Sequence, residues 1–154
     1  MNEPPSHSIQ RVGAGDTGDL LPLMRSYCDF YEVAPTDADL QAITAALIAD
    51  PEHEGVQLIA RDTDGSPTGF ATVYWSWSTT DGGRIGVMND LFVVESARGR
   101  GIADALIEAC RARSATHGAR QLVWQTAPGN LRAQRVYERV GATREQWVDY
   151  WLEC

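Results

Sequence analysis

Residues 88–103 read Met-Asn-Asp-Leu-Phe-Val-Val-Glu-Ser-Ala-Arg-Gly-Arg-Gly-Ile-Ala. An apolar run ends at Glu95, a short polar link rich in glycine follows, and a helical pattern begins at Ile102. A strand, a glycine loop and a helix in that order make a place for an anion. Glycine lets the backbone approach closely, and the free N–H groups of the first helical turn point at whatever sits there. The identity of that anion decides the reading of the chain.

On either side of this stretch the pattern is that of an α/β chain. Residues 8–12 alternate as a short strand. Asp16 or Thr17 caps a helix with Leu20, Leu21, Met24, Tyr27, Cys28 and Tyr31 spaced by three and four. Pro35-Thr36 opens a second helix carrying Leu40, Ile43, Leu47 and Ile48, and Asp50-Pro51 ends it. Residues 56–61 and 69–77 form a hairpin about Asp64-Gly65-Ser66-Pro67, and Asp81-Gly82-Gly83 turns into a strand over 84–94. A helix over 99–117, stopped by Gly118, buries Ile102, Ala103, Leu106, Ile107 and Cys110. A strand over 121–125, a helix from Asn130 to Arg139 and an alternating tail over 143–152 complete the chain. Antiparallel hairpins followed by a strand–helix–strand crossover predict a mixed, largely antiparallel sheet.

Length and composition set outer bounds. The 154 residues are read as one domain, 1–154, with 1–7 as a flexible terminus. A net charge of −8 argues against a nucleic-acid partner, whose phosphates ask for a basic face. No apolar run reaches membrane-spanning length and residues 1–10 lack a secretory layout, so a cytoplasmic protein without a membrane partner is expected. Cys28, Cys110 and Cys154 lie far apart, and His7, His53 and His117 are isolated, which predicts neither a disulfide framework nor a metal site.

A dinucleotide-binding loop is excluded by the residue at 104. With Gly99 and Gly101 as the first two fingerprint glycines, the third small residue falls on Asp104, whose carboxylate would face a pyrophosphate. The acidic ribose partner is missing too, since residues 121–125 lead to Thr126 and Ala127. The loop Arg98-Gly99-Arg100-Gly101-Ile102-Ala103 instead resembles the Gln/Arg-x-x-Gly-x-Gly/Ala acetyl-CoA motif of the GNAT superfamily of N-acetyltransferases. Asp90-Leu91-Phe92-Val93 before it, and Asn130-Leu131-Arg132-Ala133 through Tyr137 to Gly141-Ala142 after it, resemble the same family. The likeness covers residues 85–143 by motif and the remainder by element order.

The resemblance implies an α/β (α+β) fold with a mixed central sheet of six to seven strands flanked by about four helices. It implies acetyl-CoA as cosubstrate and direct attack of an amine on the thioester. Backbone groups of Leu91, Phe92 and Val93 would pair with the pantetheine arm as an added strand, and the oxyanion donor would come from a strand bulge near Leu91 or Phe92. Gly99, Arg100, Gly101, Ile102, Ala103 and Asp104 would hold the pyrophosphate with Arg98. Asn130 would cap its helix and, with Ala133, touch the cofactor. Tyr137 matches the family's general acid by spacing. Asp90, a carboxylate among apolar strand residues, is the candidate base and also faces the amine.

The acceptor pocket of this fold draws on the first helices, the central strands and the tail. Tyr27, Tyr31, Glu32 and Trp75 with Asp90 offer aromatic faces and carboxylates suited to an alkylammonium group. The first helix and the Leu-Phe-Val after Asp90 look most like the polyamine and yeast histone-and-polyamine acetyltransferase branch. The expected substrate is a small primary amine: a polyamine, a diamine or an amino acid. Two alternatives stand beside it, acetylation of a protein lysine or N-terminus, and a non-catalytic acyl-CoA sensor. By analogy with the family a homodimer is expected, with the tail pairing across a two-fold axis.

Overall fold

The computed structural model describes residues 7–154. The elements are β1 (His7–Arg11), α1 (Thr17–Phe30), α2 (Asp37–Ala49), β2 (Gly55–Asp62), β3 (Pro67–Ser78), β4 (Gly83–Val93), α3 (Ile102–Thr116), β5 (Leu122–Val123) and α4 (Leu131–Arg139). The sheet order is β1-β2-β3-β4-β5, antiparallel up to β4 and parallel between β4 and β5. The expected loose terminus over 1–7 falls outside the described residues except for His7, which opens β1.

Each long strand divides its side chains between two cores. Val56, Leu58 and Ala60 of β2, Ala71, Val73 and Trp75 of β3, and Met88 and Val93 of β4 pack with Ile102, Leu106, Ile107 and Cys110 of α3. Ile59 and Phe70 face the other way, into Leu20, Leu23, Met24 and Cys28 of α1 and Leu40 of α2, with Phe92 against them. This is the alternation of period two that the sequence shows, with both faces covered. Each large apolar side chain so buried contributes about 1.5–3 kcal/mol relative to exposure.

One irregularity resets the pattern. Thr72 pairs with Asp90 while the next residue of β3, Val73, pairs with Met88, so Asn89 is an extra residue in β4. Without that bulge, Met88 would share a face with Asp90 and Phe92. With it, Met88 and Val93 lie in the α3 core while Asp90 and Phe92 face α1. The sequence-based expectation of a bulge near Leu91 or Phe92 is therefore corrected to Asn89.

The helices are set by local chemistry. Thr36 and Asp39 make a capping box at α2, each side chain accepting from the other's backbone N–H, at 3.1 and 2.8 Å. Arg61 of β2 ties the start of α1 to the sheet by reaching Asp16 at 2.9 Å and Asp19 at 2.7 Å. Asn130 Oδ1 accepts from the Ala133 N–H at 3.2 Å, the capping role expected of it.

Two expectations fail. The sheet has five strands among the described residues rather than six or seven. The strand over 121–125 contracts to the two residues of β5, and the tail over 143–152 forms no ladder. Alternation alone does not make a strand. Trp147, Val148, Tyr150, Trp151 and Leu152 are 77–91% exposed, and no neighbouring backbone engages them in a ladder.

Candidate active site

The short ladder at β5 opens the site. β5 pairs with β4 only at Gly86↔Leu122 and Val87↔Val123. Beyond that point β4 continues to Val93 with its β5 side unpaired by any strand. A cleft of about 560 Å³ follows, lined by Leu91, Phe92 and Val93 on β4, Gly99 and Gly101 to Asp104 at the loop and α3, and Asn130, Ala133, Val136 and Tyr137 about α4. Just past β5 the Trp124 ring meets that of Tyr137 edge-on at 5.3 Å.

The glycine loop is built for an anion. Gly99 and Gly101 both have φ of 77°, a conformation that side-chain-bearing residues resist, and a Cβ at either would meet nothing within 4 Å. Backbone strain, not crowding, thus requires glycine there, and the surface beside the loop stays open. Gly101 is the N-cap of α3 without any side-chain cap, so the first-turn N–H groups lack intrahelical acceptors. These donors, the open edge of β4 and the length of the cleft fit a nucleotide pyrophosphate with an extended amide-bearing arm.

Arginine supplies the charge, partly from an unexpected quarter. Arg98 lines the cleft, but its Nε donates to Val93 O at 2.9 Å and its guanidinium lies 5.9 Å from the Phe92 ring centre, so it also fastens the loop to β4. Arg100, expected to line the site, points to solvent instead and does not border the cleft. Arg132 and Arg139 of α4 do. Arg139 grips the Asp104 carboxylate at 2.5 and 2.8 Å and holds it below the usual carboxylate range. The carboxylate that argued against a dinucleotide is thereby neutralised at the anion site. Three arginines in the nine residues after the Asn130 cap were the signal for this, and sequence reading passed over them.

The acceptor end lies past Leu91, where α1 ends. Tyr27, Phe30 and Tyr31 line the cleft, with the Tyr27 and Tyr31 rings 5.0 Å apart. Tyr27 Oη donates to Asn89 O at 3.3 Å and lies against the Asp90 carboxyl. Burial pushes the Asp90 pKa up, opposed by the polar side chains of Thr72, Asn89 and Tyr27 beside it. The Asn89 side chain donates to it at 2.9 Å. Burial and the Asp90 charge raise Tyr74 to about 12. Burial also raises Tyr137, opposed by the Thr126 side chain beside it, so its phenol stays protonated at neutral pH.

Two expected substrate residues are elsewhere. Trp75 is buried on the α3 side of the sheet, stacked on His117 at 4.1 Å and donating to Pro51 O at 2.8 Å. Its position in β3 turns it away from the even-numbered residues that face α1. Glu32 follows α1 in the left-handed region, φ 56°, and does not border the cleft. The tail's Trp147 and Trp151 are likewise exposed rather than gathered at the acceptor end.

A helix-led anion site beside a split sheet, with a protonated tyrosine at the split, defines an acyl-CoA-dependent transferase. A model of the acetyltransferase (GNAT) family matches residues 20–142, and the chain belongs to that family: it is an acetyl-CoA-dependent N-acetyltransferase. It is 36% identical over 135 residues to the uncharacterized N-acetyltransferase YhfO of Bacillus subtilis (strain 168), covering 87% of this chain and 88% of that one. It is 33% identical over 106 residues to the D-amino-acid N-acetyltransferase HPA3 of Saccharomyces cerevisiae, covering 66% and 64%. The fold is shared with AAC(6')-Iy, solved in complex with the bisubstrate analog CoA-S-monomethyl-acetylneamine. The TM-score is 0.83, at 24% identity, over 96% of this chain and 99% of that one.

Proposed function

We propose that the acceptor is the primary amine of a small molecule, of the polyamine, diamine or amino-acid class, and that Asp90 and Tyr137 handle its protons. The observation that carries this is the acceptor end itself, where three aromatic rings of α1 stand beside one half-buried carboxylate. A single charged nitrogen on an apolar stem satisfies such a site, the rings contacting the stem and the cation and the carboxylate pairing with the charge. Sequence kinship to an enzyme named for D-amino acids supports a small acceptor, and the resemblance to the polyamine branch supports the same class.

Acetyl-CoA supplies the acetyl group as a thioester. Asp90 holds the ammonium and takes its proton. Burial, by raising the carboxyl's affinity for a proton, makes it a stronger base than a solvated aspartate. The free amine nitrogen forms the amide bond as the carbon–sulfur bond breaks, and Tyr137 Oη holds the proton that the leaving sulfur needs. A thiol, with a pKa of about 8.5, is a stronger acid than this phenol, so Tyr137 Oη serves the departing sulfur as a hydrogen-bond donor, and any proton that it gives up is regained from the thiol or from solvent. Leu91, Phe92 and Val93 hold the arm, and the loop with Arg98, Arg132 and Arg139 holds the phosphates.

The exposed apolar tail supports a homodimer in which residues 143–152 are covered by a second copy. A release assay for free CoA over polyamines, diamines, amino acids of both hands and lysine peptides tests the acceptor class. Turnover confined to small amines is expected. Turnover confined to peptides would replace this reading with protein acetylation, and tight acetyl-CoA binding without release on any amine would favour a sensor.

A further inference from the structure

Behind Asp90 runs a row of polar side chains that the chemistry above leaves unused. Gln57 of β2 pairs in register with Thr72 of β3, and Thr72 pairs with Asp90 of β4. All three face α1. The adjacent row, Ile59, Phe70 and Phe92, is apolar, as a buried face requires. Thr72 is fully buried and Gln57 is 2% exposed. Position 57 is thus one where Leu or Val would pack without polar cost.

The hydrogen bonds along the row have a direction. Gln57 Nε2 donates to Thr72 Oγ1 at 3.2 Å. That contact occupies a lone pair of the hydroxyl and leaves its single O–H free for the carboxylate of Asp90, the register partner of Thr72 on the next strand. The same Nε2 lies 3.8 Å from the Met24 sulfur, and Gln57 Oε1 has no hydrogen-bond partner among the described residues. A bare buried oxygen is costly, and an amide turned the other way would pair that oxygen with Thr72. It would also take the Thr72 hydrogen away from Asp90.

We propose that Gln57 and Thr72 are positioning residues that orient Asp90 for the amine. The amide fixes the rotation of the Thr72 hydroxyl, and the hydroxyl hydrogen anchors one carboxylate oxygen so that the other faces the acceptor. The chain of donors points toward Asp90 at each step, so each bond strengthens the next. The ionisable groups around the carboxyl are Tyr27 and Cys28 of α1 and Tyr74 of β3, each held in its neutral form. The Asn89 side chain donates to it at 2.9 Å, and Thr72 stands beside it in register. This assignment rests on the reading of Asp90 as the base.

The test is the pH profile of kcat/KM for Thr72→Val, Thr72→Ser, Gln57→Leu and Gln57→Glu, alongside Asp90→Asn. Thr72→Val should move the acid limb to higher pH. That costs about ten-fold at the acid end and little at the alkaline end. Thr72→Ser should restore the wild-type limb. Gln57→Glu, which turns the Thr72 hydrogen away from Asp90, should move the limb further than Gln57→Leu, which only frees it. The same carboxyl is titrated directly by carbon NMR in wild type and Thr72→Val, a reading that does not depend on turnover. If Asp90→Asn keeps the acid limb, the base assignment fails. The NMR titration then still decides whether Thr72 governs the carboxyl. An Asp90 titration unmoved by Thr72→Val, or identical profiles for Gln57→Glu and Gln57→Leu in folded protein, overturns the proposal.

Discussion

Asp90 occupies a β4 position whose row-mates in the neighbouring register are phenylalanine and isoleucine, and it keeps its charge there at a cost. Its proton affinity is higher in the fold than in the open chain. The stability linked to it is therefore full below the ordinary aspartate range and is lost as pH rises through the raised value. Asp90→Asn removes that loss. At neutral pH the variant should melt no lower than wild type, while kcat/KM falls by about 100-fold and its acid limb disappears. A variant that retains the acid limb counts against Asp90 as the base. Tyr137 is separable from it. Tyr137→Phe keeps the ring against Trp124 and removes only the hydroxyl, so kcat should drop by about 100-fold while acetyl-CoA affinity, measured by calorimetry, changes less than about two-fold. Loss of affinity equal to the loss of rate would make Tyr137 a binding residue instead.

At the scale of elements, the register between β3 and β4 aims the site. Gly69 of β3 faces Val93, and a Cβ built there would lie 2.5 Å from Phe92 O, a backbone atom that cannot step aside. Gly69→Ala should push β4 outward where it borders the cleft. The expectation is a loss of about 2–4 kcal/mol in stability and a weaker CoA titration, with unchanged melting as the contrary result. Much of this element plan was legible beforehand. The glycine loop, the Asn130 cap and the Tyr137 spacing are local, so their residue types announce them. The bulge at Asn89 is not local. Only the partner strand shows that Val73 skips from Asp90 to Met88, and nothing in the run 88–93 marks the skipped residue. Gln57 was equally hidden, because a single polar residue in an apolar strand gains meaning only from Thr72 across the ladder. Trp75 was misplaced for the same reason, since alternation says that neighbours face apart but not which face meets the site.

Taken whole, the molecule carries two surfaces that one chain leaves open. The tail presents Trp147, Val148, Tyr150, Trp151 and Leu152 to solvent, joined to the body by Gln125, which donates to Asp149 at 2.6 Å. Phe30 and Val33 are exposed as well, so the chain presents several apolar side chains that a second copy could cover. Sedimentation should give a dimer for the intact chain and a monomer for Trp147→Ser/Trp151→Ser. A wild-type monomer at micromolar concentration would remove the dimer reading.

The other open surface is the gap beside β4. Because β5 holds the sheet by two rungs alone, α4 and Tyr137 depend on side-chain contacts, among them the Trp124 ring and the Arg139–Asp104 pair at the cleft itself. Such a segment opens more readily than the four-strand body. A molecule filling the cleft would touch the β4 backbone and α4 together, so the segment that follows β5 borrows its rigidity from the cosubstrate. Amides of α4 should accordingly exchange with deuterium faster than those of α3 in the free enzyme and slow by at least about ten-fold with acetyl-CoA bound, so that catalytic order is assembled at each turnover rather than stored in the apoenzyme.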